Sequence, residues 1–396
     1  MLHKLVSKIS HFFYPPITLF IVIRLLLLIA VPIEGLTGYG DLVNYYKVAS
    51  LGRPFFDNWV EFPPVFPFLS MLFYKLSAGS QHAYIYMLVL LFSLAQGCSL
   101  AIFIKLAQRI YGTLADRRVW TYMAFLSGLA YGWWYFDVLA LWAMLLGVEL
   151  LLDNRDFRAG VALALGTLTK YFPILALVIA WRSLSIRRAI SITLVTLCLT
   201  GMVIGGLYIL SPAMTMASLR SQYNKGSWET VWALIDNNFI TGNFGPETNR
   251  FDPQTAGIPT GNPARVSPWL TLAPFVIFGL WTFLRTRINN PRSAVSLLGV
   301  TWAVFLLWSP GWSPQWVLYL IPLILLTLDE REGFLMTLTL VLTNLLEWPI
   351  LLSRGLFKGL WITVPVRELL LIFLVYLWYR QLHPALILKP IVDQTD

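Results

Sequence analysis

Asp41 stands in Gly38-Tyr39-Gly40-Asp41-Leu42, just past the first long apolar segment, with Asp57 and Glu61 following and Tyr45, Tyr46 and Trp59 close by. A carboxylate in such a place has two ordinary uses. It caps a short helix by accepting from backbone N–H groups, or it serves as a general base for a hydroxyl within hydrogen-bond reach. Glu61 opens Glu61-Phe62-Pro63-Pro64. The two prolines fix the backbone and start a helix, so Glu61 is held either for structure or to organise an acceptor or phosphate site. Asp57 reads as a solvated loop residue and a reserve base.

The cations offer a second chemistry. Lys170 lies in Gly166-Thr-Leu-Thr-Lys-Tyr-Phe-Pro173 between two apolar halves. A lone lysine there either snorkels to the interface or presents a point charge to a phosphate leaving group. Arg24 falls near the middle of the first apolar segment, where charge is costly. It is either functional or paired with a carboxylate on a neighbouring helix. Ser313 and Gln315, in the proline- and tryptophan-rich turn Ser309–Trp316, bring hydrogen-bond donors to a helix start where an anion could sit. Tryptophan is ordinary at membrane interfaces and says little alone. Tyr45, Asp137, Trp228 and Glu229 complete the candidate substrate-binding set, and Glu347 with Arg354, Lys358 and Arg367 forms a further cluster suited to anionic lipid or phosphate.

Composition names the frame that must position these groups. The chain has 396 residues, 57% hydrophobic and 12% charged, with mean hydropathy +0.68. Soluble domains carry roughly a quarter charged residues, so an all-α polytopic membrane protein is expected. The net charge of +9 then belongs to cytoplasmic loops and anionic lipid rather than to nucleic acid. Cys98 and Cys198 lie in apolar segments and the four histidines form no spaced pair, so neither a disulfide framework nor a histidine–cysteine metal site is expected. Lys4 and Lys8 before an apolar run with no small-residue cleavage site read as an uncleaved anchor.

With Lys4 and Lys8 inside, the basic loops order the chain into roughly eleven or twelve membrane segments with both termini inside. The expected first outer loop spans 34–81, with segment 64–77 lying along the interface. The large outer loop spans 211–267, and segment 158–181 breaks into two short helices at Lys170. The whole chain, 1–396, reads as a single membrane domain. Asp41, Glu61, Asp137, Lys170, Glu229 and Gln315 then gather on the outer face.

The ordered set Asp-Leu-Val-Asn-Tyr-Tyr, Glu-Phe-Pro-Pro, Gly-Thr-Leu-Thr-Lys-Tyr-Phe-Pro and Ser-Pro-Gln-Trp resembles the GT-C class of membrane glycosyltransferases. Within it, the set is most similar to glycosyltransferase family 87, the polyprenyl-phosphate-mannose-dependent mannosyltransferases. The resemblance spans about residues 20–325. It implies a GT-C fold and inverting transfer of a sugar, mannose above others, from a polyprenyl-phosphate donor to a lipid-linked or glycan acceptor. It implies Asp41 as base; the residues themselves suggest Glu61 as its helper, and the loop order places the site at the outer face of the plasma membrane. No Asp-x-Asp pair occurs, so no cofactor is expected, although a divalent metal stays open. The rival reading is a lipid or sugar transporter or flippase, for which internal repeats and midplane charges would speak.

Overall fold

The computed structural model describes residues 14–223, 225–239 and 245–383. Lys4, Lys8 and Lys389, on which part of the expected orientation rests, lie outside the described residues, as do 224 and 240–244 of the large loop.

Among the described residues all regular structure is helical. The principal helices begin with α1 (Pro15–Ala30), α2 (Leu42–Ser50), α3 (Val65–Leu76), α4 (Gln81–Tyr111) and α5 (Asp116–Gly128). They continue with α6 (Asp137–Leu152), α7 (Asp156–Thr169), α8 (Leu177–Ser183), α9 (Ile186–Leu210), α10 (Pro212–Tyr223) and α11 (Val231–Asp236). The last are α12 (Pro268–Arg285), α13 (Pro291–Trp308), α14 (Val317–Thr327), α15 (Glu330–Leu345) and α16 (Leu360–Leu382).

Among the described residues six stretches are long and apolar enough to cross a membrane: Gln81–Gly128, Ile186–Leu210, Pro268–Arg285, Pro291–Trp308, Glu330–Leu352 and Phe357–Leu382. Pro15–Ala30, Val65–Leu76, Phe172–Ser183 and Pro314–Thr327 are shorter apolar helices. The chain is an all-α, multi-pass membrane protein. Other segments of the expected eleven or twelve are short too: α6 has 16 residues and α7 has 14, against the about 20 that a perpendicular crossing needs.

Local sequence sets the breaks. α4 runs into Gly112, whose φ of 58° is open to glycine and closes the turn into α5. The two helices then fold back on each other, with Phe103 stacked on Tyr122 at 4.1 Å. Thr169 ends α7 because Lys170 adopts an extended backbone (φ −151°, ψ 138°), and Pro173 starts a 3-10 turn into α8. The expected break in 158–181 is therefore present. Asn290 caps α13 through a reciprocal bond pair with Ser293, and Pro291 supplies the first turn.

α6 packs against α4 and α7, α7 against α9, and α13 against α16. α6 is apolar all round and almost wholly buried, the signature of a central helix. Four arginines hold acidic partners at one end of the bundle: Arg117–Glu330 (3.5 Å), Arg188–Asp156 (2.6 Å), Arg292–Asp329 (3.1 Å) and Arg109–Asp153. The loops carrying Asp41, Lys170, Trp228 and Gln315 meet at the other end.

Candidate functional site

Asp41 occupies the residue before α2, yet its carboxylate makes no cap bond to the helix backbone. It accepts instead from Asn44 Nδ2 at 3.2 Å and lines a cavity. The capping use is thus not taken up. Gly40 is needed for a different reason than flexibility: a Cβ there would stand 2.4 Å from Trp134 Cβ. One turn on from Asp41, buried Tyr45 packs edge-on between Phe66 (4.7 Å) and Phe136 (5.7 Å), which fixes α2 against α3 and the start of α6.

Glu61 lines the same cavity but is not a free base. Arg250 grips both its oxygens, at 2.5 and 3.1 Å, while its own carbonyl accepts from Gln222 Nε2 at 2.5 Å. Arg250 also lies over the Trp59 ring at 4.9 Å, and Trp59 N donates to Arg250 O at 2.9 Å. These bonds join the first loop to the large loop. Burial by itself raises the Glu61 carboxyl, but the charge and hydrogen bonds of Arg250 outweigh it and hold it below its ordinary value. Asp57 pairs with exposed Arg53 at 2.9 Å, so its solvated-loop reading stands.

The cavity has a volume of about 420 Å³, and Asp41, Glu61, Lys170, Lys225, Ser313 and Gln315 all contribute to its wall. Lys170 Nζ lies 3.4 Å from Asp137 Oδ2 and over the Phe136 ring at 4.8 Å. Asp137 is fully buried and also accepts from Tyr319 OH at 3.3 Å. It is a support for Lys170 rather than a wall residue. Lys225 Nζ sits over the Trp228 ring at 3.7 Å, and Trp228 Nε1 donates to Ser313 Oγ at 3.2 Å. Gly311 permits this: a Cβ there would meet the Trp228 ring at 2.2 Å. Gln315 Oε1 is buried with no partner in the protein, an acceptor for which a ligand or water is the natural complement.

Burial raises the Asp41 carboxyl above its ordinary value. The Asn44 bond, Lys170 and Lys225 oppose that rise, whereas the negative charge of Glu61 adds to it. Burial, reinforced by Lys170, pushes Lys225 down to about 8 against the pull of Glu61, Asp41 and Glu229. The cavity therefore holds a carboxylate made more basic and an ammonium made easier to discharge, the kind of perturbed pair that clusters at functional sites.

Arg24 and Arg367 are placed elsewhere. Arg24 does not reach the cavity wall. It donates to Gln96 Oε1 at 2.6 Å and to the Leu126 carbonyl, sandwiched between Phe20 (5.1 Å) and Trp133 (4.9 Å), tying α1 to α4 and α5. Its partner is an amide, not the carboxylate of the pairing alternative. Arg367, expected in an outer cationic cluster, is instead fully buried against Glu347 and Glu368; only Arg354 and Lys358 of that cluster are exposed.

Glu229 lies behind the wall. Its carbonyl accepts from Arg367 Nη2, its backbone sits at φ 52°, and neither carboxylate oxygen has a hydrogen-bond partner. Burial, then the charge of Glu347, pushes its carboxyl up to about 8 despite Arg367 and Lys225. A carboxyl whose folded value exceeds its unfolded one binds a proton more tightly in the native state, so stability falls as pH rises from about 4.5 to about 8. Glu229→Gln removes that loss. Its melting temperature in detergent is expected to exceed that of the parent by a margin that widens between pH 5 and pH 8, worth on the order of a few kcal/mol. A pH-independent margin would disprove the titration.

Lys225, Arg250, Gln222 and Asn44 also belong to the site, although the sequence did not single them out. Lys225 lies in Asn224-Lys225-Gly226-Ser227-Trp228, and a lysine beside glycine and tryptophan in a polar loop is a usable signal. Arg250 carries none, since only the fold brings it to Glu61. Among the described residues no three carboxylate, histidine or cysteine side chains form a set able to hold a metal ion. No protein-family profile matches the chain, and no curated protein matches it.

Proposed function

We propose that this chain is an inverting glycosyltransferase of GT-C type. It moves a sugar, mannose above others, from a polyprenyl-phosphate donor to a hydroxyl of a lipid-linked or glycan acceptor. The single observation that carries the reading is the shared cavity, in which Asp41, freed from helix capping and raised by burial, stands with Lys170 and Lys225. A base and two cations in one polar chamber, walled by apolar helices, suit a hydroxyl acceptor and a lipid-borne phosphate. The gathering of arginine loops at the opposite end supports an outward-facing cavity in the plasma membrane under the positive-inside rule.

In this reading Asp41 takes the proton of the acceptor hydroxyl as its oxygen attacks the anomeric carbon. The bond from that carbon to the phosphate oxygen breaks on the opposite face, and its electron pair stays on the phosphate. Lys170 and Lys225 stabilise that growing charge. The leaving phosphate needs no proton, so one carboxylate suffices where a glycosidase uses two. Glu61, locked to Arg250, acts as a fixed negative charge that keeps Asp41 basic.

The direct test is incubation of the purified protein with labelled polyprenyl-phosphate-mannose and a hydroxyl acceptor. Stoichiometric release of polyprenyl phosphate with a new glycosidic bond is expected. Movement of labelled lipid across vesicles without such release would favour the transporter reading. A pH profile adds detail. Only protonated Lys225 attracts phosphate, so kcat/KM falls as pH rises through about 8. Lys225→Arg keeps its charge across that range and should remove this alkaline limb. Because Glu229 titrates in the same window, a limb that persists unchanged in Lys225→Arg would assign it to Glu229 instead.

A further inference from the structure

Beside the polar cavity lies a second opening of about 470 Å³ between α8, α12 and α13, lined by Val178, Trp181, Phe275, Gly279, Val300 and Val304 among other apolar residues. It runs along α13 from Trp308 toward Leu297, about 16 Å at 1.5 Å per residue, roughly half of a ~30 Å hydrocarbon core. The opening is not isolated. Phe305 belongs to its wall and to the wall of the polar cavity. The Phe305 ring lies 5.5 Å from Phe172, and Phe172 lies 5.9 Å from Lys170 Nζ. A ladder of two aromatic rings thus leads from the phosphate-binding cation into an apolar trough. A molecule filling both spaces must be anionic at one end and hydrocarbon at the other.

We infer that this trough seats the isoprenoid chain of the lipid-phosphate sugar donor, which enters past Phe172 and Phe305 with its phosphate beside Lys170. The inference rests on the glycosyl-transfer reading and deepens it, because it assigns the Lys170 side of the cavity to the donor. The acceptor is left the Asp41 side. α12 is the wall to alter: few of its residues are buried, so substitutions there do not cut into the core.

Gly279 offers the cleanest test, since a Cβ there meets nothing within 4 Å. Gly279→Phe fills the trough, and Val276→Trp serves as a second variant on the same wall. Ile277→Phe, outside the trough and exposed on α12, is the control. Each is assayed for transfer from a long-chain polyprenyl-phosphate-mannose and from a two-isoprene analogue. Displacing even two methylene-sized contacts raises KM for the long-chain donor about tenfold in both trough variants. KM for the short analogue and for the control stays near the parent value. Equal effects on both donors, or none, overturn the inference while leaving the transferase reading intact.

A diazirine-bearing prenyl phosphate supplies a readout that needs no transfer. It is expected to label the 268–308 segment of the full-length protein, less so in Gly279→Phe. Excess prenyl phosphate should compete, and phosphatidylethanolamine should not. Competition by both lipids means a gap filled by ordinary bilayer lipid and overturns the assignment. Labelling with selective competition in a protein that transfers no sugar would instead retain the prenyl-phosphate trough and refute the transferase reading.

Discussion

Asp41→Asn should lower the rate of sugar transfer by about 10²–10⁴-fold, the usual contribution of a positioned general base, while KM for the donor changes little. The substitution keeps the shape of the side chain and its contact with Asn44, whose bond at 3.2 Å survives if that amide turns. It removes only the ability to accept a proton. Asp41 makes no cap bond to α2, and burial raises its carboxyl, so its negative charge opposes folding and the Asn variant is expected to melt no lower than the parent at neutral pH. If the proposed function holds, the parent protein should also lose activity as pH falls through the Asp41 value, which burial raises above its ordinary one, since protonation disarms the base. Releasing Glu61 from Arg250 by Arg250→Gln should move that acidic limb. Turnover of Asp41→Asn within a few-fold of the parent, measured as polyprenyl phosphate released, would end the assignment.

Lys170 carries the other large effect. Removing a preorganised charge from a developing oxyanion costs about 10²–10³ in kcat, and Lys170→Met should show at least that loss. The same change strands Asp137, which is fully buried and would keep only the Tyr319 hydroxyl as side-chain partner. Breaking one side of a buried pair costs about 3–5 kcal/mol, so the single variant should express poorly or melt early. Lys170→Met with Asp137→Asn removes both charges and restores stability. If the double variant melts like the parent and still transfers sugar slowly, Lys170 acts on the substrate. If it recovers full transfer, Lys170 serves only to neutralise Asp137. Lys170→Arg does not rescue on charge alone, because the planar guanidinium cannot reproduce a compact ammonium enclosed by Phe136 and Phe62.

Much of this site was legible along the chain because its parts announce themselves locally. A carboxylate just outside an apolar segment, a lysine in front of Tyr-Phe-Pro and a proline-rich turn with Gln315 are each anomalous against long apolar runs. The break at Lys170 follows from backbone rules about proline and from the cost of a charge in hydrocarbon. Arg24 shows where that logic stops. The cost of its burial is real, but it is met by Gln96 and the Leu126 carbonyl, partners far away in sequence. Glu61 and Arg367 show the same limit: nothing near either in the chain names its partner, which the fold supplies as Arg250 and Glu347.

The amino-acid sequence by itself determined that the chain is an α-helical membrane protein, where its helices break and which polar groups cannot be accommodated cheaply in lipid. These follow from hydropathy and backbone sterics, which act over a few residues. Only the tertiary structure decided which of those groups share a chamber and which are neutralised in private. It drew Lys225 onto Trp228, locked Glu61 to Arg250 as a fixed charge, and aligned Phe305 and Phe172 between Lys170 and an apolar trough. Electrostatics and packing act through space, so residues that are remote in the chain set one another's charge and access.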